Sequence, residues 1–345
     1  MGITYTLGSV ASILALLTTP TIFRKLGGYK FLLFVIGLDT LSILAFALAK
    51  NAWVATLAFI LGFALNTVIV FSLDEILKIF SKNSSTGKTR GIYLAVSSSA
   101  WILAQLASGT ILGEFSFRMI YITAFSIMIL FFLLCFFNLE DIPDPKYDKL
   151  KTIKYIKEFF KNKNLFRSYN INLLLQLFFC WMVIYTPIYL SAHLGFDWSE
   201  IGIIFAVMLL PFSILPFHIG KYGDKVGERK MLMFGFFTAS VFTLALFFIQ
   251  KSEVWIWALM LFATRVGAAT IEVMSDVYFF KHIKPENEEF VGVYRSATPV
   301  AYVIGPLVAL IIFIFIPSFN FIYLILGTLM LYGVYLASTI RKSDI

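Results

Sequence analysis

The sequence predicts an all-α polytopic membrane protein, and three observations carry that prediction. Hydrophobic residues make up 59% of the 345 residues and charged residues only 14%, which leaves too little polar surface for a soluble domain. The apolar residues come in runs of about 20, the length at which a helix crosses the hydrocarbon layer. Because these runs alternate too little for barrel strands, helices are the remaining way to satisfy the backbone in lipid.

Eleven apolar runs qualify as spans. In chain order they are residues 3–20, 31–49, 53–79, 91–113, 118–138, 166–191, 199–218, 231–250, 254–281, 290–316 and 319–340. Five lie before a Lys-rich stretch and six after it. We therefore expect an N-terminal half at 1–138, a linker at 139–165 and a C-terminal half at 166–345.

Positive charge predicts the orientation of these spans, because short cytoplasmic loops retain Lys and Arg. Alternate threading places 24 of the 28 basic residues on one side, leaving Lys50, Arg118 and Lys251 on the other and Arg265 within a span. The C-terminus is therefore expected in the cytoplasm and the N-terminus outside, in a plasma membrane such as the bacterial inner membrane. The net charge of +8 is a topological signal on this interpretation, and no nucleic-acid partner is expected.

The linker is expected to contain an amphipathic helix. Leu150, Ile153, Ile156, Phe159 and Phe160 recur at helical spacing opposite lysines, a pattern typical of helices that lie in the membrane surface. Binding of a partner by this helix is the alternative to a simple surface anchor.

Two polar stretches indicate an internal repeat. PTIFRKLGGYK stands between the first and second spans, and GKYGDKVGERK stands between the seventh and eighth, with Gly27 matching Gly227. A second pairing, TRGIYLAVSSSAWILAQL with FVGVYRSATPVAYVIGPL, places Gly91 on Gly292. The chain therefore carries two similar halves.

The later stretch resembles the loop signature of the major facilitator superfamily, G-x-x-x-D-[RK]-x-G-x-[RK]-[RK]. The matching residues are Gly220, Asp224, Lys225, Gly227, Arg229 and Lys230. In the N-terminal copy Arg24 stands at the Asp position and Pro20 at the first Gly position. The resemblance implies two halves of six helices, here five and six, so the equivalent of the first helix is missing. A start assigned too late in the gene and a true absence both explain this.

The same resemblance implies a secondary transporter that moves a small solute by alternating access, as a monomer and without a cofactor or metal. Proton coupling is left open. The alternative is a transport-inactive membrane protein of the same fold, a receptor or a truncated gene product, and an in-frame apolar span upstream of Met1 would distinguish the two. An enzyme is not expected, because the sequence shows no nucleophile, metal cluster or phosphate loop.

The resemblance also implies a gate in the signature loop. Asp224 is expected to dock at the cytoplasmic end of a helix of the opposite half, where a helix N-terminus attracts a carboxylate. A solvated turn with a capping Asp is the alternative. Asp276 and the matching Asp74 or Glu75 lie at the cytoplasmic ends of their spans and are expected to pair with basic residues of the neighbouring loops.

By the same resemblance, the third, sixth and ninth spans line a central cavity, to which the fourth and tenth contribute. Polar and aromatic residues of these spans are the candidates for the cavity wall: Asn66, Trp101, Gln105, Asn172, Gln176, Trp181, Tyr185 and Tyr302. Aromatic stripes in membrane helices more often pack than bind, so helix packing is the alternative for each.

Charged residues within the hydrocarbon are costly and therefore informative. Arg265 lies about 16 Å below the outer surface at about 1.5 Å per residue, and Glu272 is seven residues further along. Burying an unpaired Arg costs several kcal/mol, so Arg265 is expected to face a water-filled cavity and to bind an anionic substrate. Snorkelling or a water-bridged link to Glu272 are the alternatives. For Asp39, in the second span, a protonated or locally hydrogen-bonded carboxyl is expected rather than a proton carrier.

Overall fold

The computed structural model describes residues 2–80, 86–139, 152–283, 289–316 and 318–340, which form helices and no strands. Eight helices in this part of the chain are long and apolar enough to cross a membrane, or nine when one bent pair counts as a single span. The prediction of an all-α polytopic membrane protein is therefore confirmed. The count of eleven spans is not confirmed. Within the described residues the first helix contributes only a shorter apolar segment, Gly2–Leu16, and the helix Thr86–Glu114 is not among those that qualify.

The described residues form fourteen helices. In chain order they are α1 (Gly2–Leu26), α2 (Gly28–Leu48), α3 (Ala52–Phe80), α4 (Thr86–Glu114), α5 (Phe117–Asn138), α6 (Thr152–Lys161), α7 (Lys163–Ala192), α8 (Trp198–Ile214), α9 (Pro216–Val226), α10 (Glu228–Leu246), α11 (Val254–Lys281), α12 (Glu289–Arg295), α13 (Ala297–Phe315) and α14 (Phe321–Ser338).

One predicted span is bent in the structure, and another is interrupted at a single residue within a continuous apolar stretch, Phe290–Phe315. α8 and α9 meet at a bend of 48°, where Pro216 has no N–H with which to continue the hydrogen-bond ladder of α8. α12 and α13 meet at Ser296. Residues 220–226 of the signature therefore lie in α9, and the helix ends at Gly227, which has a positive φ.

The chain forms two compact units, one of residues 1–97 with 111–149 and the other of residues 98–110 with 150–345. In the first unit, α3 packs against α1 and α2, and α5 packs against α2. Asp39 is 2% exposed at the α2–α3 contact, where a Cβ on Gly62 would lie 3.4 Å from its Oδ1. Asp39 is therefore buried between two packed helices of this unit.

In the second unit α11 is the central helix, with α7, α8 and α10 against it. Small residues let these helices approach closely, as is usual between membrane helices. A Cβ on Gly267 of α11 would lie 2.5 Å from the backbone nitrogen of Ala239 on α10. Where α4 approaches α8, a Cβ on Gly109 would lie 2.7 Å from Cα of Gly202. α7 packs in turn against α13 and α14.

α6 lies in the linker, where an amphipathic helix was predicted. Part of its apolar face packs against protein side chains. Phe159 is fully buried in a cluster with Tyr169, Phe279, Phe290 and Tyr294. α6 therefore anchors to the second unit through protein contacts, because an aromatic ring on the short helix reaches the neighbouring helix ends. The parts of the linker at 140–151 lie outside the described residues.

Candidate functional site

Three charged residues lie along one side of α11. Arg265, Glu272 and Asp276 are separated by seven and four residues, spacings that return to nearly the same side of an α-helix. The rest of α11 is largely apolar or small, and it packs against α7, α8 and α10. The charged stripe therefore runs from the middle of the span to its C-terminal end.

Arg265 is enclosed in this conformation, with its side chain 2% exposed. Its Nε and Nη1 have no hydrogen-bond partner among the described residues. The guanidinium lies against two rings of α7 instead, with Cζ 5.0 Å from the centroid of Phe178 and 5.4 Å from that of Phe179. The cation is thus held by aromatic faces rather than standing open to water.

These ring contacts do not compensate fully for the burial of the charge. Each ring gains about 0.5 to 2 kcal/mol, or about 1 to 4 kcal/mol for the two together, whereas an uncompensated buried charge costs about 3 to 5 kcal/mol. Tyr302 of α13 and Glu272 lie close enough to act on Arg265 electrostatically, but no acid among the described residues forms a contact ion pair with it. The guanidinium therefore retains unused donors at Nε and Nη1, which a carboxylate can accept.

Asp276 is held by α12. Its Oδ2 accepts a hydrogen bond from Arg295 at 3.1 Å, and its Oδ1 accepts one from the hydroxyl of Tyr294 at 3.0 Å. The Tyr294 hydroxyl also lies 2.9 Å from Ser275 Oγ, and its ring stacks on Phe279 at 4.0 Å. Within the described chain, Asp276 thus pairs with an arginine of the tenth span, whereas basic residues of the loops were its expected partners.

The predicted polar residues of α7 connect this helix to α12. Gln176 donates to Oδ1 of Asn172 at 3.3 Å, and Asn172 donates to the carbonyl of Tyr294 at 3.3 Å. Both amides come within one turn of each other on α7, so they form one chain of hydrogen bonds with α12. Asn172 is buried, which places it in the helix packing of this unit.

The predicted aromatic residues of α7 pack against α13. Trp181 donates to the carbonyl of Gly305 at 2.9 Å, and the ring of Tyr185 stands edge-on to Trp181 at 6.4 Å. A cavity of about 570 Å³ beside Trp181 has an almost wholly apolar lining from α7, α13 and α14. This cavity does not suit an anion.

The remaining cavity candidates lie elsewhere. Asn66 is exposed on α3 in the first unit, and Trp101 is 65% exposed on α4. Gln105 lies on the part of α4 that approaches Gly202. The side chains of Asp74 and Glu75 lie outside the described residues.

The signature residues are spread over α9 and the start of α10. Asp224, Lys225 and Lys230 are exposed, and Arg229 is partly exposed. Gly220 has open space where a Cβ would stand. Gly227 joins the two helices at a positive φ of 89°. The side chain of Asp224 is therefore free to contact solvent or a partner surface.

Sequence reasoning missed Glu228, which occupies a variable position of the signature. It is 3% exposed, its Oε1 pairs with Lys281, and its Oε2 has no partner among the described residues. It also missed Phe178 and Phe179, since nothing distinguishes them in a chain with 38 Phe residues. These two rings are distinguished only by their contact with the guanidinium of Arg265 on the facing helix.

The described residues contain no group of three or more side chains that could hold a metal ion. What the site offers instead is one buried guanidinium with free donors, two aromatic faces and a nearby carboxylate. Such a site can bind a small anion, and it lies within helices of membrane-spanning length.

Comparison with protein families agrees with this architecture. The family model described as Major Facilitator Superfamily matches the chain twice, over residues 1–197 and 182–344. A search among curated proteins found no match to the chain. The two matches cover both halves of the internal repeat, and the chain therefore belongs to the major facilitator superfamily of membrane transporters.

Proposed function

We propose that the protein is a secondary active transporter of a small solute that carries a carboxylate or a similar anionic group. The observation that carries the proposal is the buried guanidinium of Arg265, whose Nε and Nη1 have no partner in the described chain. A carboxylate can accept charge-assisted hydrogen bonds from these nitrogens, and it would supply the missing counter-charge. Phe178 and Phe179 would flank the bound anion.

Transport would proceed by alternating access between the half at 1–138 and the half at 166–345, joined by the linker at 139–165. Binding near the middle of the membrane followed by rocking of two repeats is the general mode of such transporters. The enclosure of Arg265 supports an arrangement in which the site opens only during this cycle. Because α7, α11 and α13 of one chain supply the site, a monomer suffices.

The signature loop would serve as the gate. The exposure of Asp224 supports a role in a contact that forms in one state and breaks in the other. Lys225 and Lys230 are exposed beside it and favour the anionic inner leaflet.

The test compares paired ligands on purified protein in lipid nanodiscs. Lactate and succinate are each matched with an uncharged amide, lactamide and succinamide. At least one carboxylate should raise the melting temperature, whereas its amide should not. Uptake of that carboxylate into proteoliposomes then establishes transport.

Three variants identify the residue responsible. Arg265→Gln should abolish the carboxylate effect while the folded yield stays normal, and Arg265→Lys should weaken it, since Lys lacks the planar fork. Arg118→Gln is the control, because it removes an exposed arginine at the start of α5. An Arg265→Gln protein that folds, binds and transports as the wild type does would end the proposal.

A further inference from the structure

The apolar cavity beside Trp181 is a groove between α13 and α14. It is lined by Leu177 and Trp181 of α7, by Val308 and its neighbours on α13, and by residues of α14 from Leu324 to Tyr332. Its volume of about 570 Å³ lies within the roughly 300 to 1,000 Å³ that is usual for ligand-binding pockets. We call this space the α13–α14 groove.

Contacts on other helices keep the groove open. α14 is held by α10, where a Cβ on Gly327 would lie 2.6 Å from Cγ of Leu244 and where Ser240 Oγ donates to the carbonyl of Gly327 at 2.7 Å. α13 is held by α7, where the indole N–H of Trp181 donates to the carbonyl of Gly305 at 2.9 Å. The groove therefore cannot close unless one of these contacts breaks.

The lining of the groove selects an apolar occupant. The two donors Trp181 Nε1 and Thr328 Oγ1 are both used within the protein, the first by Gly305 and the second by the carbonyl of Leu324 at 2.8 Å. Water enters a cavity when polar groups hold it there, whereas apolar cavities stay dry. An empty groove would deprive its lining atoms of dispersion contacts. An apolar group is therefore the occupant that fits.

The groove is continuous with the surface that faces lipid. Val308 is 40% exposed and Tyr332 is 53% exposed, and both lie on helices of membrane-spanning stretches, Phe290–Phe315 and Phe321–Ser338. The stretch of α14 that lines the groove covers about 12 Å along the helix axis at about 1.5 Å per residue. The lipid tails that adjoin this surface are as apolar as leucine side chains.

We propose that the α13–α14 groove is a binding site for one acyl chain of a bilayer phospholipid. The chain lies along α14 and contacts the ring of Trp181. Leu177 and Trp181 share one side of α7, four residues apart, whereas Phe178 lies about 100° around the helix from Leu177 and contacts Arg265. The bound chain therefore supports the helix that carries a ring over Arg265. The acyl-chain site does not depend on anion binding, so a failure of carboxylates to bind leaves it untouched.

The first experiment uses bromine atoms as contact quenchers of tryptophan fluorescence. The protein is placed in nanodiscs of phosphatidylcholine with brominated acyl chains and in nanodiscs of the unbrominated lipid. Trp181 is one of six tryptophans, and the difference between wild type and Trp181→Phe gives its component. Trp181 is only 4% exposed, so a lipid chain reaches its ring through the groove. The Trp181 component should lose most of its intensity in brominated lipid.

Two further measurements identify the source of quenching. The component of Trp257, obtained with Trp257→Phe, should keep its intensity in brominated lipid, because this ring is fully buried and does not line the groove. Acrylamide added to the aqueous phase should leave the Trp181 component unchanged, because the groove holds a lipid chain rather than water.

The second experiment fills the groove and needs no Trp181→Phe protein. Val308→Phe on α13 and Thr328→Phe on α14 each add a ring at a lining position. Leu310→Phe and Leu331→Phe are the matched controls, since both replace exposed residues of the same helices outside the lining. The ratio of total fluorescence in brominated and unbrominated lipid should rise in the two filled variants and stay at the wild-type value in the two controls.

Three results would overturn the acyl-chain site. Equal intensity of the Trp181 component in the two lipids means that no chain enters the groove. Equal ratios in the filled variants and their controls mean that bromine reaches Trp181 by another route. Quenching of the Trp181 component by acrylamide means that the groove holds water.

Discussion

Gly27 and Gly227 adopt the same backbone conformation at equivalent points of the two halves. Their torsion angles are φ 80°, ψ 148° and φ 89°, ψ 149°, and each glycine directly precedes a helix, α2 or α10. Residues with side chains rarely adopt this conformation. The internal repeat therefore extends from sequence to backbone geometry, although the N-terminal copy lacks the Asp of the signature.

Replacing Gly227 by Ala should lower stability by about 1 to 3 kcal/mol, because the native backbone at this position is strained for any residue with a Cβ. Gly220→Ala is the matched control within α9. Gly220 is helical with open space around it, so Ala should stabilise the helix by up to about 1 kcal/mol. Thermal unfolding in nanodiscs measures both, and equal melting temperatures for the two variants would contradict this account.

Gly267→Ala should destabilise the contact between α10 and α11. The added Cβ would lie 2.5 Å from the backbone nitrogen of Ala239 and 2.6 Å from the carbonyl of Gly235, so the helices must move apart at a cost of about 1 to 3 kcal/mol. Gly292→Ala, where the Cβ meets open space, should not lower the melting temperature. A Gly267→Ala protein with unchanged melting temperature and yield would argue against the packing described.

Removal of the Tyr294 hydroxyl should cost about 1 to 3 kcal/mol, because the buried Ser275 loses one of its two hydrogen-bond partners and Asp276 loses one hydrogen bond. Tyr294→Phe keeps the ring stacked on Phe279, which isolates the polar contribution. Tyr335→Phe is the control on an exposed tyrosine. The expected order of melting temperatures is Tyr294→Phe below both wild type and Tyr335→Phe, and any other order speaks against the hydroxyl contacts.

Asp224→Asn should slow transport, because the proposed contact of the Asp224 carboxylate forms in one state of the cycle and breaks in the other. The folded yield should stay largely intact, since the side chain is exposed. Cysteine accessibility from the cytoplasmic side should rise as the population shifts to the inward-facing state. Glu253→Gln is the control, because it removes an exposed acid that caps no backbone group. If transport and cysteine accessibility are both unchanged, Asp224 is not part of a gate and the signature loop is a solvated turn.

Reporters test the orientation of the chain. Fusions at residue 345 and within 146–163 should report a cytoplasmic position, because basic residues concentrate on that side, and a fusion ahead of Met1 should report an external one. A cytoplasmic reading ahead of Met1 would refute the eleven-span threading. The sequence alone motivates this prediction.

Composition and pattern determined the class of this protein. Apolar runs of membrane-spanning length require helices whatever their neighbours are, because an unpaired backbone group in lipid is too costly. The repeated glycines and the signature at 220–230 likewise depend on local chain geometry and local charge, so they can be recognised without contacts. The position of Arg265 within a span could also be read from the sequence, because it depends only on the apolar run around it.

Only the tertiary structure decided what surrounds these residues. The rings of Phe178 and Phe179 lie over Arg265, Asp276 pairs with Arg295, and the buried Glu228 pairs with Lys281. Each of these contacts joins residues of different helices. The periodicity of a helix tells which residues share a side, but not which helix faces that side. The partner of a buried charge depends on that packing, and the packing leaves Arg265 with free donors and Glu272 without a direct partner.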